Sequence, residues 1–343
     1  MPRTTRWLSG LLCAAGCLLL LVGCRVPGAV RPTVKIGLAA PFEGRYRYVG
    51  YDVFPAVRLA VREVNAAGGL EGTYVELVAY DDGADPGMAV EQARKLMVDP
   101  EVMAALGHFR EATTLEARPA YAEASMALIA PALLTPEPGI FRTSPTADRL
   151  AAALLDQAPT AALLTEGSSL GMAIQALAPA HDVTLDPVAA FDRGDWVDLV
   201  LAAGSPVVLC DLDPVSAGEA VAALRAGGWS GRFVGGPELA AADFAAVAGE
   251  AAEDAEFVTP WPLPGDVEDG TEFVAAYTEV SGGPSPGPLA RPAYEATQLV
   301  LEALRIDLAE DGTASRAGTV IALEAVIGTA TEEEGALYWY RIS

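Results

Sequence analysis

The chain has 343 residues, enough for two ordinary domains, with 22 basic against 46 acidic residues and a formal net charge of −24. That balance argues against nucleic acid and anionic membrane surfaces as partners, because phosphate binding needs basic patches. With two histidines, four cysteines and no His/Cys cluster at ligand spacing, it also argues against a zinc or transition-metal site, and no cofactor is expected.

Residues 1–23 are expected to lie outside the fold. Arg3 and Arg6 precede an apolar run, Trp7 to Val22, that is too short for a membrane span and ends at a small-residue cleavage site. Leu21-Val22-Gly23-Cys24 resembles the bacterial lipobox, which implies cleavage before Cys24 and lipid attachment to its thiol. An uncleaved anchor helix is the competing reading. Either way the folded part is expected outside the cytoplasm, in the cell envelope. The leader takes Arg3 and Arg6 with it, leaving 20 basic residues against 46 acids, a net charge of −26. Cys13 and Cys17 leave too, so with Cys24 acylated Cys210 stands alone and no intramolecular disulfide can form. Cys210 closes the apolar run "PVVLC" and reads as a buried strand residue.

A linker is expected over 24–32, and from Val34 the hydrophobic period alternates between two and 3.6. Val34, Ile36 and Leu38 predict a strand, and Val57, Ala60, Val61 and Val64 a helix that stops at Gly68-Gly69. "TYVELVAY" is a strand, and "DPGMAVEQARKLM" a helix capped by Asp85 with Pro86 in its first turn. Then come a strand "VMAALGH", a helix Thr114 to Glu123 and a strand "MALIAPALL". After Pro145 the pattern resumes with strands "TAALLTE", "VTLDPVAAF", "PVVLCDL" and "GRFVGGPEL". Between them fall helices Leu170 to Ala178, Trp196 to Ala203 and Ser216 to Arg225. "AEFVTPWPLPGD" reads as a crossing segment. Helices follow at Thr271 to Val280, Tyr294 to Ile306 and Ala317 to Ile327, with a polar loop "VSGGPSPGP" after the first and a last strand "ALYWYRI". The alternation predicts an α/β protein of two doubly wound βαβ lobes, joined by crossing strands around an inter-lobe cleft. Strand ends and helix starts of both lobes would face that cleft.

The residues also resemble a known family. "VKIGLAAPFEG", "AVREVNAAGGLEG", "VELVAYDDGADPGMAVEQARKL", "ALGH" and "IAPALLTPE" are similar, in order and spacing, to the first lobe of the leucine/isoleucine/valine-binding proteins, which are type I periplasmic binding proteins. "AGGWSGRFVGGPEL", "GEAAEDAEFVT" and "ARPAYEATQLVLEAL" are similar to the second lobe and the returning helix. The resemblance implies a monomeric solute receptor that captures a small ligand by lobe closure and feeds an ABC permease and ATPase, without chemistry of its own. It also implies one lobe from 33–143 plus 264–330 and another from 144–263 plus 331–343. A ligand-sensing receptor or an interaction module of the same fold is the alternative.

Site residues follow from the same resemblance. Where amino-acid-binding relatives hold the ligand carboxylate with a serine after the "GH" turn, this chain has Glu111 in "GHFREATT". The "P-x-x-T" strand end supplies Ala132 and Leu134, with Thr135 one step on. The aromatic walls of the second lobe fall on Leu170 and Leu212, and "GGPE" places Glu238 where relatives hold the ammonium group. The relatives' first-lobe disulfide is replaced by Ala84 and Arg110. Glu111 has a second reading, a pair with Arg110 or a helix cap. Glu43, Tyr46 and Tyr48 in "PFEGRYRYVG" are candidate contacts at the cleft mouth, or an exposed loop. Asp211 and Asp213 reach the cleft, or start the helix after Pro214. Two carboxylates about 4 Å apart at an effective dielectric near 20 repel by roughly 4 kcal/mol. Glu111 therefore predicts poor binding of leucine, isoleucine and valine, and a preference for a cationic or uncharged amide-like solute with an apolar body.

One competitor is enzymatic. Gly167-Ser168-Ser169-Leu170-Gly171 fits the G-x-S-x-G elbow, with Ser169 as nucleophile. The one histidine beyond it, His181, sits at the end of the very next helix and leaves too little chain for a separate triad strand.

Overall fold

A computed structural model describes residues 32–330 and 336–342. The leader and Cys24 lie outside the described residues. Strands β1 (Thr33–Ala40), β2 (Tyr74–Asp81), β3 (Val102–Gly107), β4 (Ala127–Ile129) and β5 (Ile140–Phe141) form one all-parallel sheet in the order β2-β1-β3-β4-β5. Ile36, Leu38, Ala104 and Leu106 are fully buried, as strands covered on both faces must be. Helices α1 (Arg47–Ala66), α2 (Pro86–Val98) and α3 (Glu111–Glu123) connect them, and the Asp85 carboxylate caps α2 by accepting from Met88 N–H at 2.8 Å.

The second sheet holds β6 (Thr160–Thr165), β7 (Thr184–Ala190), β8 (Val207–Asp211), β9 (Arg232–Gly235), β10 (Glu256–Thr259) and β11 (Tyr338–Arg341), in the order β11-β10-β9-β8-β6-β7. Only β11 runs antiparallel to its neighbour. Helices α4 (Ala147–Leu155), α5 (Ser169–Leu177), α6 (Trp196–Ala203), α7 (Pro214–Ala226) and α8 (Ala242–Ala248) belong to this lobe. After β10 the chain returns: α9 (Gly270–Ser281), α10 (Ala290–Asp311) and α11 (Arg316–Ala330) share a core with the first sheet, Tyr277, Val300, Leu304 and Leu323 packing with Ile36, Val53 and Leu106. Two lobes with parallel sheets result, as the alternation predicts.

Several boundaries differ from expectation. The first helix begins at Arg47, so Tyr48 stands on a helix rather than in a loop. Helix α3 begins at Glu111, three residues early. "MALIAPALL" pairs only over Ala127–Ile129, because Pro131 has no N–H for the ladder. "GRFVGGPEL" leaves the sheet after Gly235 and turns into a short 3₁₀ helix at Pro237–Ala240. The crossing segment starts as a full strand, β10. No helix among the described residues is long and apolar enough to cross a membrane.

Candidate functional site

The carboxyl ends of strands from both sheets meet at a cavity of about 480 Å³, within the size range of small-molecule sites. Its first-lobe wall follows β3 and β4, and its second-lobe wall follows β6, β8 and β9. Glu111, Ala132, Leu134, Leu170, Leu212 and Glu238 all line it. Tyr48 lines a smaller chamber next to it, together with Arg110 and Glu238.

The turn after β3 is rigidly held. Gly107 adopts φ +128°, and a side chain there would collide with the Ala39 carbonyl of β1. The His108 ring is buried, with Nδ1 2.6 Å from an Asp82 carboxylate oxygen and Nε2 3.2 Å from the Tyr121 hydroxyl. Thr114 Oγ1 donates to the carbonyls of His108 and Arg110. This bracing presents Phe109, Arg110 and Glu111 to the cavity.

Arg110 is the residue that sequence reasoning missed. Its guanidinium lies 4.1 Å from the centre of the Tyr46 ring, and Nη2 donates to Glu166 Oε1 at 3.3 Å across the cleft. Burial works against its charge, but the surrounding Tyr48, Tyr46, Glu238 and Glu166 more than offset that, and its pKa is raised. Arg110 therefore does not pair with Glu111. Glu111 accepts a hydrogen bond from Thr135 Oγ1 instead. Thr135, expected at the ligand, lies off the main cavity in a side groove, where its hydroxyl donates to Glu111. Glu43 is exposed and absent from the lining, since the 3₁₀ turn Gly44–Tyr46 that follows it carries Tyr46 to the cavity instead.

Acidic groups dominate the opposite wall. Asp211 accepts from Thr165 Oγ1 at 2.5 Å and from Ser168 Oγ; burial pushes its carboxyl up to about 6. Gly171 permits this cluster, since a Cβ there would overlap both Asp211 and Thr165. Burial likewise pushes Glu238 up to about 7, with Arg110 pulling the other way. No side chain among the described residues bonds to the Glu238 carboxyl. Burial also raises the Cys210 thiol and the Tyr48 phenol. Asp213 does cap the helix after Pro214, accepting from Val215 and Ser216 N–H at 3.0 and 3.2 Å. It also binds Arg45 of the first lobe, whose Nε and Nη2 each lie 3.0 Å from a carboxylate oxygen, while Nη2 donates to Ser216 Oγ as well.

The nucleophile-elbow geometry fails. Ser168 is the working hydroxyl of the turn, capping α5 through Leu170 N–H at 3.1 Å. His181 lies twelve residues beyond Ser169, about 18 Å along a helical path, and its Nδ1 faces Asp156 at 3.2 Å. No group of three or more potential metal ligands occurs among the described residues.

The family model described as periplasmic binding protein matches residues 33–331. The Leu/Ile/Val-binding protein homolog 2 of Brucella abortus is 33% identical over 120 residues, 35% of this chain and 32% of that protein. The chain thus spans about a third of the length of the curated relatives it matches. A branched-chain amino acid transporter substrate binding protein from Streptococcus pneumoniae, solved with isoleucine, superposes with a TM-score of 0.74 at 20% identity, covering 85% of this chain and 87% of that one. A solute binding protein of an ABC transporter from Rhodopseudomonas palustris, solved with 3,4-dihydroxy benzoic acid, gives 0.73 at 22% identity and covers 84% of each chain. These likenesses establish the fold. Matched along nearly all of its folded length, the chain belongs to the periplasmic binding protein family, among the relatives of the Leu/Ile/Val-binding proteins, a family of solute binders rather than enzymes.

Proposed function

We propose that this protein is the extracytoplasmic solute receptor of an ABC importer, held to the membrane by a lipid on Cys24, and that it captures its ligand by closing two lobes. The ligand class is a cationic or uncharged amide-like solute with an apolar body. The observation that carries this reading is Glu238, a carboxyl half-buried between the lobes with no side-chain partner among the described residues. Such a group is costly to bury unless a ligand completes it. Around it stand Glu111, Glu166 and Asp211 against a single guanidinium, Arg110, already turned to Glu166. Phe109, Leu134, Leu170 and Leu212 supply the apolar wall. A closed state is stabilised only by what the ligand gains there over the open state, so a cation bridging Glu238 to the first lobe would drive closure.

Calorimetric titration of the mature domain with leucine, isoleucine and valine, beside aliphatic and aryl amines and amides, tests the ligand class. Amines or amides should bind and compact the molecule in solution scattering. Micromolar binding of leucine would overturn the ligand class while leaving capture intact, and an absence of compaction with every ligand would overturn capture itself. The anchor is tested separately: the native protein should partition into detergent, and Cys24→Ala should release it or block its processing.

A further inference from the structure

A second cavity, of about 730 Å³, shares no lining residue with the 480 Å³ one and meets the smaller chamber beside that one at Tyr48 and Pro288. Its walls are aromatic: Phe42, Tyr48, Tyr51, Phe54 and Tyr277 all face it, with Phe42 and Phe54 edge to face at 6.0 Å. A hydrophobic cavity of this size with few polar groups has the makeup of a ligand site. It is also built rather than incidental. Asp52, 7% exposed, accepts from the backbone N–H groups of Gly287 and Leu289 at 2.7 and 2.6 Å, and the Tyr277 hydroxyl donates to the carbonyls of Tyr51 and Asp52 at 3.2 and 3.0 Å. These bonds tie the loop after α9 to α1 and fix two walls against each other. Gly287 is needed there, because a side chain would press on the Asp52 carboxylate.

The charges decide what would bind. Asp52 has both oxygens committed to the loop. Asp243 is half-buried in the first turn of α8, where the helix N-terminus favours its negative charge. The Arg58 side chain, exposed on α1, has no hydrogen bond or ion pair among the described residues. The cavity thus offers one unpaired guanidinium, which suits a planar carboxylate. We propose that this cavity is a second ligand site, distinct from the cleft, for a small aromatic monocarboxylate whose ring fills the aromatic walls and whose carboxylate meets Arg58. Ala241, Ala242 and Asp243 reach it from the second lobe, so an occupant touches both lobes and biases their closure. By linkage, a cleft ligand would alter its affinity by the same factor.

The proposal stands apart from the cleft ligand's identity. Its test is titration of the mature domain with 2-naphthylacetate and with the matching amide, followed by calorimetry and saturation-transfer NMR. The carboxylate should bind about 5- to 10-fold more tightly than the amide, the increment of one partly exposed charge-assisted contact. Arg58→Gln should bring the carboxylate down to the level of the amide and leave the amide unchanged. Ala242→Trp, plugging the cavity from the second lobe, should weaken both, and Ser285→Trp does the same from the opposite wall should the first plug fail to fold. Ala112→Trp, which fills the cleft, should leave both probes bound and the carboxylate's advantage over the amide intact, any common shift reporting the coupling between the sites. Loss of binding with Ala112→Trp but not with either plug would move the ligand to the cleft and overturn the site. Equal loss of acid and amide in Arg58→Gln would overturn the carboxylate class. Failure of both probes to bind at millimolar concentration would return the cavity to solvent or to a protein partner and overturn the proposal.

Discussion

Replacing Arg45 with alanine should loosen the grip of one lobe on the other. Arg45 follows β1 in the first lobe, and its guanidinium makes two contacts of 3.0 Å to Asp213, which follows β8 in the second, besides its bond to Ser216. The Asp213 side chain is 2% exposed and that of Arg45 43%, so the pair lies between two regimes. Exposed ion pairs contribute roughly 0.2–1 kcal/mol and charge-assisted hydrogen bonds about 1.5–3. We take about 1–2 kcal/mol, which corresponds to a closed-to-open ratio lowered by about 5- to 30-fold. Solution scattering and a dye pair with one label on each lobe should both report a more open ensemble. Arg193→Ala, which breaks a pair with Asp195 inside one lobe, is the control. Burial works to raise Asp213, but hydrogen bonds from Arg45 and Ser216 outweigh it and leave its pKa lowered. The contribution is therefore intact above the ordinary carboxylate range and lost as pH falls through the lowered value, so wild type should open in acid and Arg45→Ala should change less. Asparagine at 213 keeps the helix cap, which makes Arg45→Ala with Asp213→Asn a clean double-mutant cycle. Strictly additive effects, or a single variant as closed as wild type, would refute the reasoning.

Glu238, pushed up to about 7 by burial, holds a proton that the unfolded chain has already lost between its ordinary value and pH 7, so it costs stability as pH rises through that window. Glu238→Gln should accordingly raise Tm at pH 8 and leave it nearly unchanged at pH 4; an equal effect at both would show that desolvation of the carboxylate is not the cause. Binding of a cation to the cleft needs Asp211 and Glu238 ionised, and these titrate at about 6 and about 7. Its affinity should climb by up to about tenfold per pH unit per group until pH 7 and then level off, whereas a flat profile in calorimetry would remove those carboxyls from the ligand. Gly171→Ala would drive a methyl group into Asp211 and Thr165, and a urea midpoint shifted by about 1–3 kcal/mol of lost stability is expected. An unshifted midpoint would mean that the turn relaxes freely.

Sheets and cleft were legible where the signal is local. Apolar runs such as "PVVLC" mark buried parallel strands, and strand ends in a doubly wound sheet point at the crevice. Positions as far apart as Leu134, Leu170, Leu212 and Glu238 therefore arrive at one cavity. Local contrast fails at α8, where "ADFAAVA" is so short and rich in alanine that no clear apolar stripe stands out. By contrast, "ADRLAAALL" of α4 does carry a stripe, Leu150, Ala151, Leu154 and Leu155, that sequence reasoning passed over. That the last three helices return to the first sheet was not in their periodicity either; it came from family likeness. The site shows the same limit more sharply. Arg110 reads as an ordinary residue opening a helix, and what makes it a cleft group is Glu166, 56 positions away on the other lobe, together with the Tyr46 ring beneath it. Arg45 and Asp213 are likewise 168 positions apart. Thr135 and Glu111 exchange a hydrogen bond that no spacing rule anticipates, and this satisfies a carboxyl that by itself implied bare like-charge repulsion. A charge in a protein of two facing lobes therefore acquires its meaning from the opposite lobe. The carboxyls that find partners there, such as Asp213, serve to hold the lobes together. Glu238, which finds no side-chain partner among the described residues, is the one we propose that a ligand completes.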